Sequence, residues 1–473
     1  MEPLTTSLQH VFGFNTFRTG QAAALTALEQ GKDTLAILPT GAGKTLIYQL
    51  YGYRHPGCVL VISPLLSLMN DQVDRMRING FRRSAAITSL TSYAERQEIL
   101  RHLGDYQFLF LSPEMLAQPQ MLAQIQRLQL SLLVIDEAHC IVQWGPDFRP
   151  EYLLLGAIRT KLQQPLTLML TATAGETTRQ EIAKQLRTRP EIVSESVNRP
   201  NIFLDVENVA DELEKQARLK RLINQLQRPG VVYFSSKQQA TDTALWLHQE
   251  TGIRAAAYHA GLASEDRFKI QQQFMMGQLD VICATSAFGM GIDKNNVRYV
   301  IHYHLPADLE SYAQEIGRAG RDGKPSVAIL LYAPGDEQLP LALGQSNRPD
   351  DETIQRYYAR PQQFSEDDPV IQLLAFYRQH GISQVAVTQM FTGRERERNR
   401  ALAQMMAYAR ENHCLRERWL AAFDEQSPEH VATCCSPGNT PLDLSALGLI
   451  RQQSAVTVAP EREDWVVRLR RLF

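Results

Sequence analysis

No stretch of about 18 consecutive apolar residues occurs anywhere in the chain, so no membrane-spanning helix is expected. Cysteine is scarce: six in 473 residues, irregularly placed. That excludes a disulfide scaffold and favours a reducing compartment. An excess of one charge is lacking too. Lys and Arg number 49 against 51 Asp and Glu, a net charge of −2, so any track for a polyanion has to be local. The N-terminal Met-Glu-Pro-Leu-Thr-Thr-Ser has neither a basic n-region nor an apolar h-region, and no secretory signal is expected. These absences point to the cytoplasm, without a membrane partner. What is present is ordinary for a globular protein, 44% hydrophobic and 21% charged. The length suggests about three domains of roughly 150 residues.

The most informative stretch is Ser-Leu-Leu-Val-Ile-Asp-Glu-Ala-His-Cys, residues 131–140. Leu132 to Ile135 read as a buried strand of a parallel sheet, and Asp136 and Glu137 follow at its carboxyl end, the edge where open α/β sheets bind ligands. Magnesium on a nucleotide needs a hard oxygen ligand, and hydrolysis needs a carboxylate near the attacking water. Alone, such a pair is an ordinary strand exit; its partner lies upstream. A second apolar strand, 33–38, runs into Pro39-Thr40-Gly41-Ala42-Gly43-Lys44-Thr45. Gly41 and Gly43 let backbone amides turn to phosphate oxygens, Lys44 supplies a point charge for the β- and γ-phosphates, and Thr45 a hydroxyl for magnesium. A helix from about residue 44 aims its positive end at the anion. The strict phosphate-loop pattern wants Gly at 38, where Leu38 stands. ATP with Mg²⁺, held by Thr45 and Asp136, is therefore expected.

Apolar runs alternate with helical stretches at Cys58–Ile62, Phe108–Leu111, Leu132–Ile135 and Thr167–Leu170, the rhythm of a parallel sheet covered by helices. It pauses at Val197-Asn198-Arg199-Pro200-Asn201 and restarts at Val231–Phe234, Ala255–Tyr258, Val281–Ala284, Tyr299–His302 and Val327–Leu331. The expected organisation is α/β: a first parallel-sheet domain over 1–199, a second over 200–338, a mostly helical region over 339–437 and a short tail over 438–473. One phosphate loop for two such domains suggests nucleotide in the cleft between them. Gln314-Glu315-Ile316-Gly317-Arg318-Ala319-Gly320-Arg321 ends the second domain. Arg318 and Arg321 share a face if this is a helix, and guanidinium suits developing γ-phosphate charge. Ala287-Phe288-Gly289-Met290-Gly291-Ile292-Asp293 reads as a glycine-rich loop near phosphates. Arg394 to Arg398 reads as a solvated helix face.

With these residues in view, the chain resembles the RecQ family of superfamily 2 DNA helicases, nearly continuously from residue 8 to about 335. The resemblance implies two tandem RecA-like domains, ATP hydrolysis, and 3′→5′ movement on single-stranded DNA in repair and recombination. Leu8, Phe12-Gly13-Phe14, Phe17-Arg18 and Gly20-Gln21 are similar to the motif that holds adenine: Gln21 would read the base edge, with Phe14 and Arg18 stacked on its faces. Thr40 and Asp293 would join the nucleotide site. Ser63 to Gln72 resembles the motif that touches the DNA backbone, with Ser63, Asn70 and Gln72 as contacts. Thr171-Ala172-Thr173 resembles the motif that couples the domains. Arg199-Pro200-Asn201, Tyr258-His259-Ala260-Gly261-Leu262 and His302 fit as well, with His259 on the DNA side.

The most family-specific segment is His139 to Pro150, similar to the aromatic-rich loop of these enzymes. Trp144 and Phe148 sit on a Gly/Pro-rich loop, where aromatic faces stack on unpaired bases for about 1–3 kcal/mol each; burial of Trp144 is the other reading. Arg149 would add a phosphate or carboxylate contact. Pro146 stands where the family usually has His.

The likeness thins past residue 335. Cys414 to Phe423 resembles the first-cysteine helix of the family's zinc platform, but the usual C-x₂-C-x₂-C run is replaced by His430, Cys434 and Cys435. Two readings stand, a Cys₃His zinc site or a platform packed without metal. The stretch after Cys435 is short for the family's winged helix. A motor that unwinds poorly, an annealing factor, an ATP-gated DNA binder without turnover and an RNA helicase are the rival functions.

Overall fold

The computed structural model describes residues 2–64, 66–89, 91–143, 149–289, 294–345, 348–426, 430–431, 433–436 and 440–451. Two parallel sheets form the body. The first holds β1 (Thr34–Ile37), β2 (Cys58–Ile62), β3 (Ser84–Ile87), β4 (Phe108–Leu111), β5 (Leu130–Ile135), β6 (Thr167–Thr171) and β7 (Glu191–Ser194) in the order β3-β4-β2-β5-β6-β1-β7. The second holds β8 (Ile202–Asn208), β9 (Gly230–Tyr233), β10 (Ala255–Tyr258), β11 (Val281–Ala284), β12 (Tyr299–His302) and β13 (Ser326–Tyr332) in the order β10-β11-β9-β12-β13-β8. Strands covered on both faces read as unbroken apolar runs, and β1 to β4 are buried at every position.

Three strands were not expected from the sequence. Ser84-Ala85-Ala86-Ile87 is too small-sided to stand out, β7 is mostly exposed, and β8 carries Asp205 and Glu207 among its apolar residues.

The order β5-β6-β1 decides where the chemistry lies. Ile135 pairs with Met169, and Thr171 with Ile37. With strands about 4.8 Å apart, the ends of β5, β6 and β1 place the acid pair, Thr171-Ala172-Thr173 and the glycine loop on one edge.

The helices after residue 337 bridge the two sheets. Ile354, Tyr357, Leu374, Tyr377, Val387 and Phe391 form a cluster against which Leu153 of the first domain packs. Leu402, Met405, Tyr408 and Trp419 belong to the core of the second. One helix, Gln384–Ala409, serves both, and its 26 residues span about 39 Å. Arg394 on this helix departs from the solvated face expected for residues 394–398. Its side chain is 13% exposed, and its guanidinium donates to the Val142 carbonyl of the first domain. No helix among the described residues is long and apolar enough to cross a membrane.

Candidate nucleotide site and interdomain cleft

The glycine loop leaves β1 at Ile37 and enters the helix Lys44–Arg54. Gly41 and Gly43 have φ of 88° and 73°, which side chains resist. The loop's carbonyls are taken from behind. Arg18 donates to Gly41 O, and Gln21 Nε2 donates to Ala42 O at 2.8 Å and Gly43 O at 3.0 Å. Gln21 Oε1 in turn accepts the Arg18 N–H at 3.0 Å. In a planar trans peptide the following N–H points opposite to the carbonyl. The N–H groups of Gly43 and Lys44 therefore face the other way, beside that of Thr45 at the helix N-terminus, as an anion cradle. Lys44 Nζ lies 3.4 Å from Leu38 O, over this loop. Gln21 is buried beneath the loop, whereas Phe14 is 54% exposed.

Asp136 and Glu137 leave β5 on the same edge. Burial, then the neighbouring Glu137, pushes the Asp136 carboxyl up to about 7, with Lys44 opposing. Asp136 Oδ1 accepts the Glu137 N–H at 3.1 Å, and Glu137 takes a φ of 50°. Such a backbone in a non-glycine residue is strained and concentrates at functional sites. Below the pair, the buried Tyr48 donates its hydroxyl to Gln72 Oε1 at 3.1 Å. Gln72 is thus tied to the floor of this site.

His139 carries the edge across to the second domain. Its Nδ1 lies 3.0 Å from Thr171 Oγ1 and 3.4 Å from Glu137 Oε2, and its Nε2 lies 3.3 Å from Gln314 Nε2. Gln314 also donates to Thr173 Oγ1 at 3.2 Å. An amide nitrogen only donates, so His139 Nε2 accepts and Nδ1 carries the proton. Burial lowers the His139 pKa and keeps the ring neutral. The sequence places His139 and Gln314 in two of its motifs but gives neither a role. Each is a single polar residue, in a loop or on an amphipathic helix.

Arg318 and Arg321 do not share a helix face. The helix Leu309–Ile316 stops at Gly317, and Gly320, with a φ of 55°, turns the chain. Arg318 is buried and donates to Gly289 O within its own domain. Arg321 instead packs on the phosphate loop, where a Cβ on Gly41 would lie 3.6 Å from Arg321 Cδ. Thr40 faces the same segment, 3.8 Å from a Cβ built on Gly317.

The residues expected to meet DNA differ in exposure. Ser63 is buried at the end of β2, Asn70 is exposed, and His259 is nearly buried with Nε2 3.0 Å from Thr241 Oγ1. Arg149 pairs with Glu114 at 3.2 Å. Trp144, Phe148 and Asp293 lie outside the described residues.

A second cluster gathers Cys414, His430, Cys434 and Cys435, whose ligand atoms all lie within 4.8 Å of one another. Cys414 Sγ is 3.8 Å from Cys434 Sγ, 3.7 Å from Cys435 Sγ and 3.4 Å from His430 Nδ1. Cys435 Sγ is 3.9 Å from His430 Nδ1. Hydrogen bonding from Cys435, and then from Arg416, lowers the Cys434 pKa to about 5.

Residues 18–182 match the DEAD/DEAH box helicase family, and 214–323 match the helicase conserved C-terminal domain. The chain is 42% identical over its whole length to a probable ATP-dependent DNA helicase RecS of Bacillus subtilis, covering 98% of that protein. It is 41% identical to the ATP-dependent DNA helicase RecQ of Pasteurella multocida over 70% of this chain, and spans 52% of that longer relative. The fold is similar to that of Mycobacterium smegmatis helicase Lhr bound to ssDNA and AMP-PNP, with a TM-score of 0.58 and 22% identity over 76% of this chain and 50% of that one. Two parallel-sheet domains with a glycine loop facing an arginine segment, and this identity along the full length, place the chain in the RecQ family of DNA helicases.

Proposed function

We propose that this chain hydrolyses ATP in the cleft between its two sheets and uses the cycle to separate DNA strands, moving 3′→5′ on single-stranded DNA in repair and recombination. The observation that carries this reading is Arg321 of one domain lying on Gly41 of the other's phosphate loop. Lys44 and the loop amides bind phosphate, Thr45 and Asp136 are the oxygen ligands suited to Mg²⁺, and Glu137 orients the attacking water. Magnesium, when bound, neutralises phosphate charge. Arg321 reaches the γ-phosphate, and Arg318 braces the segment behind it. Gln21, with Phe14 and Arg18, is proposed to hold adenine, and Gln21 also fixes the loop's carbonyls from below. Closing and opening this cleft shifts one domain against the other along the strand. Ser63, Asn70, Gln72, His259, Trp144, Phe148 and Arg149 are the proposed DNA contacts. The test is phosphate release with single-stranded DNA or RNA, alongside unwinding of forked, overhung and blunt duplexes. DNA-stimulated release with fork unwinding supports the helicase. Release without unwinding supports a translocase, stimulation by RNA alone an RNA helicase, and no release a DNA binder.

The Cys/His cluster is proposed to hold structural zinc. A tetrahedral ion with Zn–S of about 2.3 Å requires S···S edges of about 3.8 Å, and a shorter Zn–N bond gives S···N edges of about 3.5 Å. Four of the six edges, at 3.8, 3.7, 3.4 and 3.9 Å, lie close to those of such a tetrahedron, and the other two are within 4.8 Å. Arg416 Nε, 3.3 Å from Cys434 Sγ, favours the thiolate a metal needs. Elemental analysis of protein purified without chelator should give about one zinc per chain; a ratio near zero in folded, active protein refutes the site.

A further inference from the structure

The Cys/His cluster stands apart from the phosphate loop, yet one side chain joins it to the segment between the two sheets. Arg416 opens the helix Leu415–Ala421 and is 2% exposed. Its Nε donates to Cys434 Sγ at 3.3 Å. Its Nη1 donates to Asn198 Oδ1 at 2.7 Å and Arg199 O at 3.2 Å, and its Nη2 to Ile202 O at 2.5 Å and Cys434 O at 3.1 Å. One guanidinium thus ties a cysteine of the cluster to the chain that leaves β7 and enters β8.

That tie continues. Arg199 donates to Gly317 O at 3.3 Å, Ala319 O at 3.2 Å and Gly320 O at 2.7 Å. These are the backbone groups that carry Arg318 and Arg321. The end of the cysteine lobe holds the other side of the hinge. Glu425 accepts from the Ser196 hydroxyl and from the Val197 N–H at 2.9 Å, and Asp424 Oδ2 accepts the Glu176 N–H of the first domain at 3.1 Å. A small cavity of about 20 Å³ lies among Thr40, Thr173, Arg199, Gly317, Arg416 and Trp419.

We infer that Arg416 is a positioning residue for hydrolysis: it anchors the interdomain hinge, and through Arg199 the Arg321-bearing segment, to the Cys/His cluster, so that metal loading sets how the second domain meets the phosphate loop. The metal part rests on the zinc reading above; the anchoring rests on the hydrogen bonds. Arg is suited to the task because its planar fork presents five N–H donors in fixed directions. Lys keeps the charge but offers three donors at one point. A buried guanidinium that bonds the linker to the cluster resists their separation, since each lost bond leaves a desolvated polar group.

The test uses the full chain. Arg416→Lys and Arg199→Lys are compared with the parent for zinc content, melting temperature, ATPase kinetics and amide exchange over 196–202. The parent is also stripped with a mercurial thiol reagent and a chelator. For Arg416→Lys the expectation is a kcat lower by about tenfold at a KM for ATP within about twofold. Exchange over 196–202 should quicken while the first sheet stays protected. The stripped parent should match this pattern, and stripping Arg416→Lys should add little. An unchanged kcat and unchanged exchange in Arg416→Lys overturn the anchor. So does a uniform loss of protection across the protein, which marks a merely structural residue. Active parent protein without zinc overturns the zinc reading alone, and the Arg416→Lys and Arg199→Lys arms then decide the anchor.

Discussion

The side-chain amide of Gln314, in the second domain, lies 3.3 Å from Nε2 of His139, two positions beyond Glu137 in the first. Because Gln314 also donates to Thr173, one amide reads both the acid-pair loop and the end of β6. A shift of the second domain is therefore felt at Glu137 through a neutral imidazole. Gln314→Ala should lower kcat by about tenfold, the equivalent of about one lost buried hydrogen bond. Nucleotide affinity should change by less than about twofold. A stopped-flow binding assay beside steady-state phosphate release separates the two. A variant that loses affinity and keeps kcat would place Gln314 in ground-state binding instead.

Removing the charge that holds phosphate differs from removing the group that orients water. Lys44→Ala should abolish ATPase activity and nucleotide binding together. Glu137→Gln, which keeps shape and hydrogen bonding, should bind nucleotide yet not turn it over. Turnover near the parent's rate in Glu137→Gln would remove Glu137 from its role.

Gly43→Ala tests the loop itself. The residue has a φ of 73°, and a Cβ there would lie 2.7 Å from Gln21 Nε2. Either the loop or Gln21 must move, so ATP affinity should fall by at least about tenfold, with about 1–2 kcal/mol of lost stability. Equilibrium binding of a fluorescent nucleotide and a denaturant midpoint check both numbers.

His304 should make part of the stability acid-labile. Burial, and then nearby Lys215, lowers its pKa from 6.5 to about 4, and its Nδ1 accepts the Ser235 N–H at 3.0 Å. Between these two values the unfolded chain holds a proton that the folded chain refuses. The stabilisation is thus full above about pH 6.5 and lost progressively as pH falls to about 4, at most about 3 kcal/mol. In His304→Asn, whose amide oxygen can take over the acceptor role, the urea midpoint should depend less on pH across this window. An unchanged slope would assign the acid sensitivity elsewhere.

Much of the architecture was legible because its signals are contiguous. A short apolar run such as Val281–Ala284, bounded by turn residues, reads as a strand covered on both faces, and Pro39 to Thr45 places a glycine, a lysine and a hydroxyl at fixed offsets after one. The acid pair after Leu132–Ile135 was visible for the same reason. Signals that depend on a partner strand were not: Ser84–Ile87 earns its place only by pairing with β4.

The sequence by itself determined two parallel sheets and a glycine loop with an acid pair on one sheet's edge, since backbone hydrogen bonding and short-range spacing are local properties. The tertiary structure alone decided that Arg318 turns inward while Arg321 meets the loop, since glycines at 317 and 320 break the helix that would have aligned them. It alone decided that Gln21 holds loop carbonyls and that Gln314 reaches His139. It alone decided that Arg416 binds Cys434 and Asn198 at once. Those partners lie far apart along the chain, and a lone polar residue carries no periodic signal. Its role is set by which buried groups would otherwise go unpaired, and that is known only when the chain has folded.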